Sequence, residues 1–134
     1  MTIVETVTRL RVVAPNPGRV TTTFSYDTTE PYTVTIHFAC DDCVCDNRWY
    51  FGRDLLAAGL DHPAGIGDVR ILPVGQTVGI VFNNGTEMAL VEAPRHVLTR
   101  FLRDIRLTVP DGTEHEWLDV DGLIAEAFGE ADLW

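Results

Sequence analysis

The sequence predicts an α+β domain of antiparallel sheets with helices packed on one side, and three observations carry that expectation. Short stretches in which apolar and polar residues alternate with a period of two fill the first half of the chain. Two hairpin-type turns divide strand-like stretches in the second half, and the residues after Pro94 repeat their apolar positions with a period of 3.6. The order of the strands does not follow from this pattern.

Taken along the chain, Ile3 to Val13 and Val20 to Tyr26 are the first two strand-like stretches. The cleanest strand signal is Pro31 to Cys40, where Tyr32, Val34, Ile36, Phe38 and Cys40 would face a core while Thr33, Thr35, His37 and Ala39 face water. Arg48 to Phe51 follows, with Trp49 and Phe51 on a common face. Arg53 to Ala58 reads as a short helix that Gly59 ends, since glycine suits the left-handed position after a last helical turn.

Three more strands are expected at Val69 to Val74, Thr77 to Phe82 and Thr86 to Val91. Gly75-Gln76 and Asn83-Asn84-Gly85 supply turn chemistry between them, which makes an antiparallel meander. Pro94 fits a first helical turn because the donor it lacks is not needed there. Val97, Leu98, Phe101, Leu102 and Ile105 then form one apolar stripe, and Arg95, Arg100, Arg103 and Arg106, with His96 and Thr99, cover the other side. A last helix is expected from Asp119 or Asp121, burying Leu123, Ile124, Ala127 and Phe128.

A length of 134 residues favours one domain over residues 1–134, with a core large enough to need no metal or disulfide staple. The 46% hydrophobic content, broken into short stretches, excludes a disordered chain and a membrane span, which takes about 20 continuous apolar residues. Met1 to Leu10 has no basic start and no apolar run of the secretory kind, so a cytoplasmic location is expected. Three cysteines crowded between Cys40 and Cys45 make a poor disulfide framework. A net charge of −10 opposes binding to a phosphate backbone, because that affinity comes from cations displacing condensed counterions.

Candidate chemistry is sparse. Cys40, Cys43, Cys45 and His37 are potential zinc donors, but His37 and Cys40 differ by an odd number and point to opposite faces of a regular strand. Cys40 continues the core face, where a thiol packs as a small apolar group, so no metal is expected. Glu114-His115-Glu116 and Asp61-His62 place histidine beside carboxylates, yet chain neighbours seldom converge on one substrate atom. Gly65-Ile66-Gly67 lacks the third glycine, the preceding strand and the following helix of a dinucleotide site and reads as a turn, while Asp68 and Arg70 would share the polar face of the strand after it. No catalytic residue and no cofactor are therefore assigned. The arginine face of Arg95, Arg100, Arg103 and Arg106 is the candidate contact surface, available either to a partner or to the acidic stretch from Asp111 to Trp134.

Several segments, in their order and spacing, resemble the SsgA-like family of sporulation and cell-division proteins. Tyr26-Asp27 followed by Pro31-Tyr32-Thr33-Val34 is similar to the family's first motif, and Trp49 with Phe51-Gly52-Arg53-Asp54-Leu55-Leu56 to its most specific one. Gly65 to Arg70, including Gly67, Asp68 and Arg70, resembles the family's glycine-rich approach to the next strand. Leu90-Val91-Glu92-Ala93-Pro94 and Val109 to Glu114 complete the series, whereas the cysteines between Cys40 and Cys45 depart from the acidic hairpin tip the family pattern has there.

The resemblance implies a non-enzymatic actinobacterial regulator of septum placement that acts on family members and on the tubulin-like division protein FtsZ. It also implies a trimer whose fold is akin to the whirly single-stranded nucleic-acid-binding proteins. That fold makes a single-stranded nucleic-acid-binding module the alternative function, and a metal-dependent enzyme or redox sensor on the cysteine hairpin is a third.

Overall fold

Two antiparallel meanders, joined along one strand, make up a single curled sheet. The structure is a computed structural model that describes residues 2–39 and 48–118. Strands β1 (Ile3–Ala14), β2 (Gly18–Asp27), β3 (Thr33–Phe38) and β4 (Arg48–Gly52) precede helix α1 (Arg53–Asp61). Strands β5 (Val69–Val74), β6 (Thr77–Asn83) and β7 (Met88–Pro94) lead into α2 (Arg95–Thr108) and a short 3-10 turn, Glu114–Trp117. All seven strands share one sheet in the order β4-β3-β2-β1-β7-β6-β5. Strand β1 is the seam: it pairs with β2 from Ile3 to Val12, and with β7 only through Arg11, Val12 and Ala14, across a register shift.

The register puts one set of side chains on the inner face. Phe24 lies opposite Ile36, Tyr26 opposite Val34, Ile71 opposite Ile80 and Ile80 opposite Val91, and all of them are buried. Both helices pack on that face, as the sequence predicts: Leu98, Phe101, Leu102 and Ile105 from α2 and Leu56 and Leu60 from α1 join the same core. Phe101 reaches Phe24 with ring centroids 6.1 Å apart. The right-handed strand twist curls the sheet so far that Phe82 on β6 meets Phe38 on β3 at 5.4 Å and Trp49 on β4 at 5.0 Å. Trp49 and Phe51 do share the core face, Phe51 with only 6% of its surface exposed.

Four local expectations are corrected. Gly59 does not end α1 in a left-handed conformation; it is buried inside the helix, which continues to Asp61. Its lack of a side chain serves packing, because a Cβ there would lie 2.4 Å from the Cβ of Ile71 on β5. Tyr32 does not extend the core face of β3: a turn closed by Thr33 N–H on the Glu30 carbonyl precedes the strand, leaving Tyr32 45% exposed. Pro94 ends β7 and caps α2 with an extended backbone, ψ 127°, where the sequence places it within the first helical turn. Asp68 precedes β5, so it does not share a strand face with Arg70, and among the described residues the two form no ion pair.

The expected helix from Asp119 or Asp121 and the cysteines from Cys40 to Cys45 lie outside the described residues. Among the described residues, no helix is long and apolar enough to cross a membrane.

Candidate functional site

An arginine at the first position of a core-facing helical stripe organises one end of the molecule. Arg53, Leu56 and Leu60 are spaced to fall on one face of α1, so the stripe that buries the leucines also buries the guanidinium, which is 1% exposed. A buried cation is tolerated only where its donors are met. Arg53 Nη1 donates to the Tyr26 hydroxyl at 3.2 Å and to the Val109 carbonyl at 2.9 Å, and Nη2 donates to Asp111 Oδ1 at 2.6 Å. The Tyr26 hydroxyl in turn donates to the Pro31 carbonyl at 2.8 Å. Among the described residues, no buried side-chain nitrogen or oxygen lacks a partner.

The arrangement is a clasp. It ties the end of β2, the turn before β3, the start of α1 and the segment after α2 to one guanidinium. Asp111 also pairs with Arg106 Nε at 3.0 Å, so the same carboxylate links the clasp to the outer side of α2. Burial pushes the Asp111 carboxyl up, but the Arg53 hydrogen bond and the Arg106 charge together hold it below its ordinary value. The Tyr26 phenol is raised, because burial outweighs the opposing hydrogen bond and charge of Arg53.

The remaining motif residues have separate, local roles. Asp27 closes a turn by accepting from the Thr29 amide and hydroxyl, each at 2.9 Å, and Asp54 is exposed in the first turn of α1, where a carboxylate complements the helix dipole. Glu92 pairs with Arg11 at 3.0 Å on the outer sheet face. Gly67 and Arg70 are exposed beside Gly65, whose φ of 98° makes the predicted turn. Glu114 accepts from the Gly112 amide and is buried, which makes it a turn-closing group and leaves its neighbour His115 in solvent. His37 is exposed on the outer face of β3, as its strand parity predicts.

No local pattern in the sequence marks Asp111 or Val109 as a partner of Arg53. The available signal was Arg53 itself: an arginine in phase with Leu56 and Leu60 must find acceptors inside the core.

The second feature is a groove of about 1100 Å³ between α1 and α2, with Gly75 and Gln76 of the β5–β6 turn at its margin. Arg95, Arg100, Arg103 and Arg106 all line it, so the structure brings the predicted arginine face together. The four are not equivalent. Arg95 donates to the Leu60 carbonyl and fastens α2 to the end of α1. Arg106 is held by Asp111, while Arg103 makes, among the described residues, only a 3.4 Å contact with its exposed chain neighbour Asp104. Arg100 pairs with no carboxylate among the described residues. Among the described residues no group of three or more His, Cys, Asp or Glu side chains gathers to hold a metal.

Comparison with known proteins gives one consistent result. Residues 20–114 match the family model for the Streptomyces sporulation and cell division protein SsgA. The sporulation-specific cell division protein SsgB of Salinispora tropica is 42% identical over 127 residues, covering 90% of this chain and 89% of that protein. The SsgB of Streptomyces coelicolor is 41% identical over 112 residues, covering 79% of this chain and 80% of that protein. A solved SsgA-like sporulation-specific cell division protein from Thermobifida fusca superposes with a TM-score of 0.81 at 30% identity, covering 94% of this chain and 96% of that one. A solved structure from work in which mutations in SsgB correlate to longitudinal cell division during sporulation of Streptomyces coelicolor superposes with a TM-score of 0.79 at 38% identity, covering 87% and 95%. Tyr26, Pro31, Arg53 and Asp111, the side chains and carbonyls of the clasp, all fall within the matched segment, and the chain belongs to the SsgA family of sporulation and cell division proteins.

Proposed function

We propose that this chain is a non-enzymatic adaptor in sporulation-specific cell division, located in the cytoplasm at the septum. In this reading it controls the septum site and the localisation of the FtsZ ring through protein-protein contacts with FtsZ or with other SsgA-like proteins. The observation that carries the reading is the arginine face of α2. Of ten basic residues in a chain of net charge −10, four line one groove, and among the described residues Arg100 and Arg103 there form no ion pair beyond the 3.4 Å contact of Arg103 with its exposed neighbour Asp104. Arginine spends little conformational freedom per bond and grips carboxylates with two parallel donors, which suits it to a protein interface.

A Glu substitution at both Arg100 and Arg103 is expected to abolish most capture of division proteins from the source organism while shifting thermal unfolding by no more than a few degrees. Undiminished capture would remove the α2 face from the function. The reading also includes a homotrimer. Leu72, Val74, Val81, Met88 and Leu90 share the outer face of β5, β6 and β7, with Val74 46% and Met88 60% exposed, and such a surface is better covered by another copy than left in water. Light scattering of the purified chain should give three times the 14.9 kDa chain mass; a monomer across the micromolar range would dispose of the trimer.

A further inference from the structure

We infer that the groove between α1 and α2 binds an acidic amphipathic segment of another protein, roughly ten residues long, a conclusion that rests on the adaptor reading above. Three features of the groove specify that occupant.

The first is length. Arg95 to Arg106 spans eleven helical steps, roughly 16 Å of groove wall at about 1.5 Å per residue, which matches two to three turns of a docked helix. The second is charge. Residues 95–108 carry four arginines against one acid, Asp104, on a molecule that is otherwise strongly acidic, so the attraction is local and vanishes within about a Debye length. A long polyanion extending past the groove would meet repulsion from the rest of the surface, whereas a short acidic segment confined to the groove would not. Among the described residues Arg100 pairs with no carboxylate and Arg103 with none but its exposed neighbour Asp104, while Arg106, paired through Nε with Asp111, is 45% exposed and also lines the groove.

The third is the apolar content of the wall. Leu107 is 75% exposed at the end of α2 and lines the groove beside half-buried Ala57, with the core residues Leu60 and Leu102 beneath them. A free phosphate or a purely acidic chain leaves that surface wet. A segment that alternates carboxylates with one or two leucine-like side chains covers it, and each apolar group buried there strengthens binding independently of salt.

The test uses the full chain and a fluorescent peptide of about a dozen residues built from glutamate pairs separated by leucine pairs. Polarisation titrations at low and high salt are expected to give saturable binding that weakens at least about tenfold as salt rises. Arg100→Glu with Arg103→Glu should cut affinity by more than about tenfold at low salt, and Leu107→Ser should cut it several-fold at both salts. No binding of the peptide, or equal binding by the arginine variant, overturns the inference. A dT oligonucleotide of matching length that binds as tightly overturns it in favour of a nucleic-acid site.

A full-length variant with Asp119, Asp121, Glu126, Glu130 and Asp132 changed to their amides covers the remaining rival. If only that variant binds the peptide, the chain's own acidic stretch occupies the groove and no foreign segment is needed. The adaptor reading is judged separately: loss of partner capture without peptide binding leaves the adaptor standing and ends this inference. Peptide binding without any effect on capture does the reverse.

Discussion

Replacing Arg53 with Met should lower the stability of the fold by about 2–4 kcal/mol, seen as an earlier midpoint in urea with an unchanged slope. Methionine fills much the same volume, so the loss comes from the polar partners. Val109 is fully buried, and its carbonyl loses the Arg53 donor, which costs about 1–3 kcal/mol for a buried group left without a partner. The Tyr26 hydroxyl keeps its bond to Pro31 but loses the donor on its other side. Asp111 suffers least, since at 58% exposure it returns to water.

A sharp ordering follows from that asymmetry. Asp111→Asn should cost less than about 1 kcal/mol, and Arg53→Lys should recover only part of the loss, because one compact ammonium does not span three acceptors held in a fork. If Asp111→Asn proved as damaging as Arg53→Met, the clasp would be an ion pair first and a carbonyl anchor second, contrary to its geometry.

The same cluster sets the pH limits of the contribution. The Asp111 carboxyl is held below its ordinary value of 3.8, so its stabilising effect is complete above that pH and is lost as acid carries the folded protein through the lower value. The Tyr26 phenol is raised above 10.0, so its contribution is complete below that pH and is lost as alkali ionises it in the folded state. Between those limits the clasp is insensitive to pH. Urea midpoints measured across that range should therefore show no step from either group.

Gly59→Ala is expected to destabilise by about 1–3 kcal/mol, although alanine is the better helix former by roughly 0.5–1 kcal/mol. The added Cβ would sit 2.4 Å from both Cβ and Cγ2 of Ile71 and 3.1 Å from the Ile71 carbonyl oxygen. Neither the β-carbon nor the backbone at Ile71, which is itself fully buried on β5, swings aside, so α1 must lift from β5. Gly67→Ala is the control: it has no positive φ and nothing within 4 Å of the new methyl, so its stability should change by less than about 0.5 kcal/mol. A stabilised Gly59→Ala protein would show that the helix and β5 are not in close contact.

The two glycines also show where local reading stops. In sequence, Gly59 follows a short helical run and has the form of a terminator, and nothing within ten residues on either side reveals that Ile71 will press against it. Arg53 is the same kind of residue seen from the other side. Its phase with Leu56 was readable, but Leu60 joins that stripe only because the helix runs on to Asp61, and the acceptors that make the inward position tolerable come from residues 26, 109 and 111.

The arginine stripe was legible because helical periodicity is local, and the phase that buries Leu98, Phe101 and Ile105 leaves Arg100, Arg103 and Arg106 exposed and Arg95 half-buried. That Arg95 is spent on Leu60 and Arg106 on Asp111, leaving Arg100 and Arg103 as the less engaged pair among the described residues, was not.

By itself the sequence determined the approximate spans of the strands, the faces of Val34, Ile36, His37, Trp49 and Phe51, the amphipathic helix after Pro94 and, through the spacing of its motifs, the family. Pleat and helix repeat act over a few residues, so those features are written in consecutive positions. Tertiary structure alone decided that β1 joins β7 some eighty residues later, that the sheet curls until β6 meets β4, and which four segments close around Arg53. Those choices depend on which distant surfaces fit after the chain has collapsed, and no local period encodes that fit.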